Sequence, residues 1–208
     1  MKIAVVGATG RTGRLVVAEA RRRGHHVVAV VRDPARLGDL RPDGVATADG
    51  LDVAAVTAAL AGVDAVVSTL GPVAGSAPGV QGELTEVLVR AARDAGVRRA
   101  VVVTASGWVV DGDDPLSRYL AKPILSRVLR DANAGFARAE PAVRDSGLDW
   151  TIVRPPMLRD GAAAGGYRER RDGNVRWRWS MNRADLAAAV CDLLTDPTAV
   201  GATVSVAG

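Results

Sequence analysis

Three glycines, Gly7, Gly10 and Gly13, stand three residues apart in "VVGATGRTGR", directly after a Val-rich run and before a stretch of helical period. Glycines at such a place permit a tight turn, the close approach of an anion to backbone N–H groups, and the close packing of a helix on a strand, while the helix amino end adds partial positive charge. The anion this arrangement suits is a pyrophosphate, and strand, Gly-rich turn and helix in succession are the context a dinucleotide-binding loop requires. Gly7, Thr9, Gly10, Arg11, Thr12 and Gly13 are therefore expected cofactor contacts.

A second signal concerns the other end of a dinucleotide. In "VVAVVRDPARL" the apolar run ends at Val31, and Arg32 and Asp33 follow side by side. The residue ending the second strand of a doubly wound fold lies beside the adenosine ribose, where an acidic side chain accepts from the 2′-OH of NAD and an arginine accommodates the 2′-phosphate of NADP. Asp33 precedes Pro34, and Asp followed by Pro at the first helical position is a helix-start signature, so Asp33 is expected to cap the turn "PARL" and leave the ribose to Arg32. Arg36 projects from that same turn and supplies a second guanidinium for the phosphate. The competing assignment pairs both arginines with Asp33 or Asp39 at the surface. The expected cofactor is NADP(H).

These residues need elements to hold them. Short Val-rich runs ("KIAVVG", "HVVAVV", "GVATAD", "DAVVSTL", "RAVVVTA", "WTIVRP") alternate with segments of helical period. This is the pattern of an α/β, Rossmann-type doubly wound parallel sheet, whose strands are apolar throughout because helices cover both faces. Helices are expected over Arg11–Arg23, Val53–Leu60, Gln81–Ala95 and Phe136–Ser146, with a last one in "RADLAAAVCDLL" capped by Asn182 and Asp185. Two segments break the alternation: the Gly- and Pro-rich Gly71–Gly82, and "GYRERRDGNVRWRWS", which reads as a hairpin turning at Asp172-Gly173. Both lie late enough in the chain to form a substrate-side lid. In the hairpin Val175, Trp177 and Trp179 alternate with Arg176 and Arg178, giving an apolar and a basic face, either for a planar substrate or for packing and dimer contact.

At 208 residues the chain suits a single domain over residues 1–208. Its 27 Lys+Arg against 23 Asp+Glu give a net charge of +4, a mild excess that suits a phosphate-bearing ligand. The arginines are scattered through turns and helix surfaces, which argues against nucleic acid. "MKIAVVG" is too short an apolar run for a signal peptide, and no stretch approaches a membrane span, so a cytoplasmic location is expected. Cys191 reads as a core residue. The only histidines, His25 and His26, sit in the turn entering the second strand, away from the cofactor end, and leave too few ligands for a metal.

"GATGRTG", "VVRDPARL", "DAVVSTLG", "RDSGLDWTIVRPP" and "NRADLAAAV" resemble, in order and spacing, an atypical short-chain dehydrogenase/reductase group. This is the NAD(P)H-binding group that includes NmrA-like proteins and flavin reductases of the biliverdin reductase B type. The resemblance spans nearly the whole chain. It implies adenine contacts at Asp49 and Leu51, a ribose lined by Ser68, Thr69, Leu70 and Gly71, and a nicotinamide beside Thr104 and Ser106 with Arg154, Pro155, Pro156 and Met157 on its far side. Either hydroxyl, Thr104 or Ser106, is a candidate to orient the carboxamide or a substrate carbonyl. Many short-chain dehydrogenases carry Tyr and Lys four residues apart; here Tyr119 and Lys122 are three apart and Lys122 precedes Pro123, which disfavours helical backbone at that lysine. The activity implied is NADPH-dependent hydride transfer to a planar small-molecule acceptor (flavin, quinone or biliverdin-like) by positioning, in a monomer or homodimer. The alternative is an NmrA-like protein that senses NADP(H) without catalysis.

Overall fold

The computed structural model describes residues 1–72, 77, 79–107, 130–171 and 173–208. The strands are β1 (Lys2–Val6), β2 (His26–Val31), β3 (Gly44–Thr47), β4 (Ala65–Ser68), β5 (Arg99–Val103), β6 (Asp149–Arg154), β7 (Met157–Arg159), β8 (Arg168–Arg171), β9 (Ser180–Asn182) and β10 (Ala202–Ala207). The helices are α1 (Arg11–Arg22), α2 (Val53–Ala59), α3 (Val80–Asp94), α4 (Arg130–Arg144) and α5 (Arg183–Thr195). Eight strands form one sheet in the order β3-β2-β1-β4-β5-β6-β10-β8, parallel except for β8, while β7 and β9 pair in a small parallel sheet of their own.

Strand alternation sorts the side chains onto two covered faces. Ile3 and Val5 pack with Val16, Val17 and Ala20 of α1 and with Leu186, Val190 and Leu194 of α5. Ala4 and Val6 look the other way, toward Val56 of α2 and Leu88 and Ala91 of α3. Val143 of α4 joins Val89, Val102 and Ile152 on that same side. The six Val-rich runs of the sequence are β1 to β6, six adjacent strands from the β3 edge inward, so the doubly wound reading holds. Cys191 is buried in the α5 layer, and burial pushes its thiol up to about 12. No helix among the described residues is long and apolar enough to cross a membrane.

The chain winds from β1 outward to β3, then returns to place β4 on the other side of β1. Strand order reverses there, and the carboxyl ends of β1 and β4 diverge into the crevice where sheets of this kind take their ligands.

Two expectations fail at the far edge. The hairpin does not form: Arg168–Arg171 pairs antiparallel with β10, from Val204↔Arg171 to Ala207↔Arg168, and 175–179 contributes no strand. The open edge of β10 offers β8 a full ladder of backbone partners, and Trp177 turns the chain with a left-handed φ of 60°. The two-faced Trp/Arg ribbon is therefore absent, although Trp177 and Trp179 are both exposed. Nor does Asn182 cap α5 with its side chain. Its Nδ2 donates to the Ala162 carbonyl at 2.9 Å, and Asp185 accepts from the Ala164 N–H at 3.0 Å, so both residues hold the 160–166 loop instead. Position 172, part of Gly71–Gly82, and Tyr119, Lys122 and Pro123 lie outside the described residues.

Candidate functional site: a dinucleotide crevice

The phosphate loop is built by what its glycines lack. Gly7 has φ +82°, a conformation that favours glycine. A Cβ on Gly13 would stand 2.1 Å from the Gly7 carbonyl oxygen and 2.8 Å from Thr69 Oγ1, so the helix approaches the strand only because that atom is missing. Gly10 is the N-cap of α1; its N–H donates to Gly7 O at 2.9 Å, and its own carbonyl accepts from Arg14 N at 3.0 Å. Thr69 rivets the turn from β4, donating its hydroxyl to Val6 O at 3.1 Å, with Gly7 O at 3.3 Å. That hydroxyl is occupied in fixing the loop. Ser68 beside it is buried, and its Oγ has no hydrogen-bond partner among the described residues. Thr9 and Thr12 are half-buried, Leu70 likewise, and Gly71 is exposed at the crevice rim.

At the carboxyl end of β2, Asp33 takes the capping role expected of it. Pro34–Leu37 form one turn of 3₁₀ helix, and Asp33 Oδ1 caps it by accepting from Ala35 N at 3.0 Å. Arg32 and Arg36 are exposed, and neither forms a salt bridge among the described residues. Asp39, the other carboxylate within reach, pairs with Arg14, which also donates to the Leu37 carbonyl at 2.8 Å and so ties α1 to the turn. After β3, Asp49 Oδ1 accepts from Leu51 N at 3.1 Å, which presents the Leu51 side chain, 49% exposed, on the same rim.

The opposite end, past β5 and β6, is stitched by backbone. Thr104 N donates to Val153 O and Ser106 N to Pro155 O, both at 2.8 Å. Pro155 is buried, Pro156 half-buried, and Met157 60% exposed. Below them lies a network that the motifs did not disclose. Glu140 of α4 is fully buried and accepts from Thr104 Oγ1 at 3.0 Å and from Arg154 Nε at 2.8 Å through Oε1. Its Oε2 takes Arg144 at 2.7 Å and a second Arg154 nitrogen. The one sequence signal was a carboxylate set inside the apolar stripe Phe136, Ala139, Val143. Arg11 also acquires an unforeseen partner, Asp160 at 3.1 Å, which is shared with Arg183 at 2.6 Å and bridges the amino ends of α1 and α5.

A family described as NAD(P)H-binding matches residues 7–197. This chain belongs to that family. It is similar to an NAD(P)H azoreductase of Xenophilus azovorans, 30% identical over 94% of this chain and 64% of that protein. It is also similar to a 3-diazoavenalumate denitrifying reductase of Streptomyces, 32% identical over 99% of this chain and 71% of that protein. Among solved structures the anaerobillin reductase ChuY from Escherichia coli O157:H7 superposes with a TM-score of 0.81 at 25% identity, covering 100% of this chain and 97% of ChuY.

The residues of this NAD(P)H-binding chain suit such a cofactor on their own terms. The amino end of α1 has no side-chain cap and no acidic residue in its first turn, so its N–H groups are left for an external anion. Among the described residues there is no group of three His, Cys, Asp or Glu placed to hold a metal ion.

Proposed function

We propose that this protein is an NADPH-dependent reductase that delivers hydride to a planar, conjugated small-molecule acceptor of the flavin, quinone or linear-tetrapyrrole kind. The observation that carries the choice of NADPH is the pair Arg32 and Arg36, exposed and without a salt bridge among the described residues beside a turn whose own carboxylate is spent on capping. Two guanidinium groups in that position match a phosphomonoester. Gly7, Gly10 and Gly13 with the amino end of α1 would hold the pyrophosphate, Asp49 and Leu51 the adenine, and Thr104, Ser106 and Pro155–Met157 the nicotinamide end.

NADPH, when bound, supplies the hydride. The protein's task is then to hold donor and acceptor in contact and exclude water, while acceptors of this class take their proton from solvent. Three of the similar proteins are named as an azoreductase, a diazoavenalumate reductase and an anaerobillin reductase, and the azo and diazo names support an unsaturated acceptor.

The test is to mix purified protein with NADPH and, in turn, FMN, a quinone, an azo dye and a linear tetrapyrrole, and to follow the nicotinamide absorbance. Turnover with at least one acceptor is expected. Tight NADPH binding without turnover on any of them would replace this reading with the redox-sensing one.

A further inference from the structure

The contact between Thr104 and Glu140 has a direction that bears on what Thr104 can do. A hydroxyl has one proton to give and two lone pairs to accept with, whereas a carboxylate only accepts. Glu140 is fully buried, and each of its oxygens receives an arginine N–H: Oε1 from Arg154 at 2.8 Å, Oε2 from Arg144 at 2.7 Å. The proton in the 3.0 Å contact between Thr104 Oγ1 and Glu140 Oε1 therefore belongs to Thr104. With its proton committed to Glu140, the Thr104 hydroxyl, in a residue 5% exposed, retains only acceptor capacity toward any further partner. The backbone holds it there, since Thr104 N is bonded to Val153 O at 2.8 Å.

We propose that Glu140 is a positioning residue that fixes Thr104 as an acceptor at the nicotinamide end, so that Thr104 receives the carboxamide N–H and cannot serve as a proton donor to the substrate. The proposal rests on the NADPH reading above. It assigns the carboxamide's amino group to the protein through Thr104 and leaves protonation of the acceptor to solvent.

The probe is the 3-acetylpyridine analogue of NADPH, in which a methyl group replaces the carboxamide NH₂ while the carbonyl is kept. Affinities of wild type, Thr104→Ser, Thr104→Val and Glu140→Gln for both dinucleotides are measured by calorimetry. Wild type should bind NADPH about three- to tenfold more tightly than the analogue, the ratio one neutral hydrogen bond supplies. Thr104→Ser should keep the preference and Thr104→Val should lose it. In Glu140→Gln the side-chain amide can donate to Thr104 Oγ1 and release the hydroxyl proton, so the preference should shrink toward unity. If Glu140→Gln does not fold, the two Thr104 variants still decide. Equal affinities in wild type, or a preference unchanged in Thr104→Val, would overturn the proposal while leaving NADPH binding intact. Failure of wild type to bind NADPH at all would overturn the cofactor assignment as well.

Discussion

Replacing Arg32 tests the adenosine end, because the structure isolates its contribution. Arg32 is exposed and forms no salt bridge among the described residues, and the neighbouring turn is held by Asp33 and Ala35 rather than by the arginine. Arg32→Ala should therefore change folding stability by no more than about 0.5 kcal/mol, as expected for a surface position without a structural partner. A charge-assisted bond to a phosphate contributes about 1.5–3 kcal/mol, and solvent exposure places this one toward the lower figure. The affinity for NADPH should fall roughly tenfold, that for NADH hardly at all. Arg32→Glu should go further by adding repulsion, and Arg36→Ala should show a smaller loss of the same sign. The assay is calorimetric titration with both dinucleotides at low and moderate salt, since screening weakens such a contact. A wild type that prefers NADH, or a variant that loses both affinities equally, would refute the reasoning.

Other consequences follow from the same contacts. Gly13→Ala would drive a methyl group to 2.1 Å from Gly7 O, so the loop must open; we expect a destabilisation of about 1–3 kcal/mol and loss of NADPH binding, read by thermal melting and titration. Asp160→Asn should raise NADPH affinity at most about fivefold as Arg11 is freed for the phosphates, and should cost about 1–2 kcal/mol of stability because the same carboxylate is the partner of the buried Arg183. Cys191, whose thiol burial raises to about 12, should resist alkylation at mildly alkaline pH and react only when the protein is unfolded; rapid labelling of the native protein would contradict its place in the core.

Much of this was legible in the sequence, for physical reasons. β1, β2, β4, β5 and β6 are largely buried, so their runs of valine need no partner to be recognised, and β3, the exposed edge strand, is the weakest of the runs. The glycine loop and the Asp33-Pro34 cap are local devices, fixed by residues adjacent in the chain. What escaped depends on distant partners. β10 is a strand because β6 offers it an edge, and its Thr203 and Ser205 break the apolar run. β8 follows β10 in turn, which dissolves the hairpin that 168–179 suggested locally. α4 begins at Arg130, six residues before its apolar stripe announces it, and packs closely on α3 where Gly135 meets the Gln81 side chain. Glu140 acquires meaning only when β5, β6 and α4 converge on it.

Hydride transfer itself is the claim on which the rest depends, and a primary deuterium isotope effect tests it most directly. NADPH and NADPH carrying deuterium at the transferred position are oxidised anaerobically by the wild-type protein with the best acceptor of the panel, and the loss of nicotinamide absorbance is followed through a single turnover. The expected result is protein-dependent oxidation, matched one-to-one by acceptor reduction and slowed by the deuterium. Tight NADPH binding with no oxidation by any planar acceptor would contradict it.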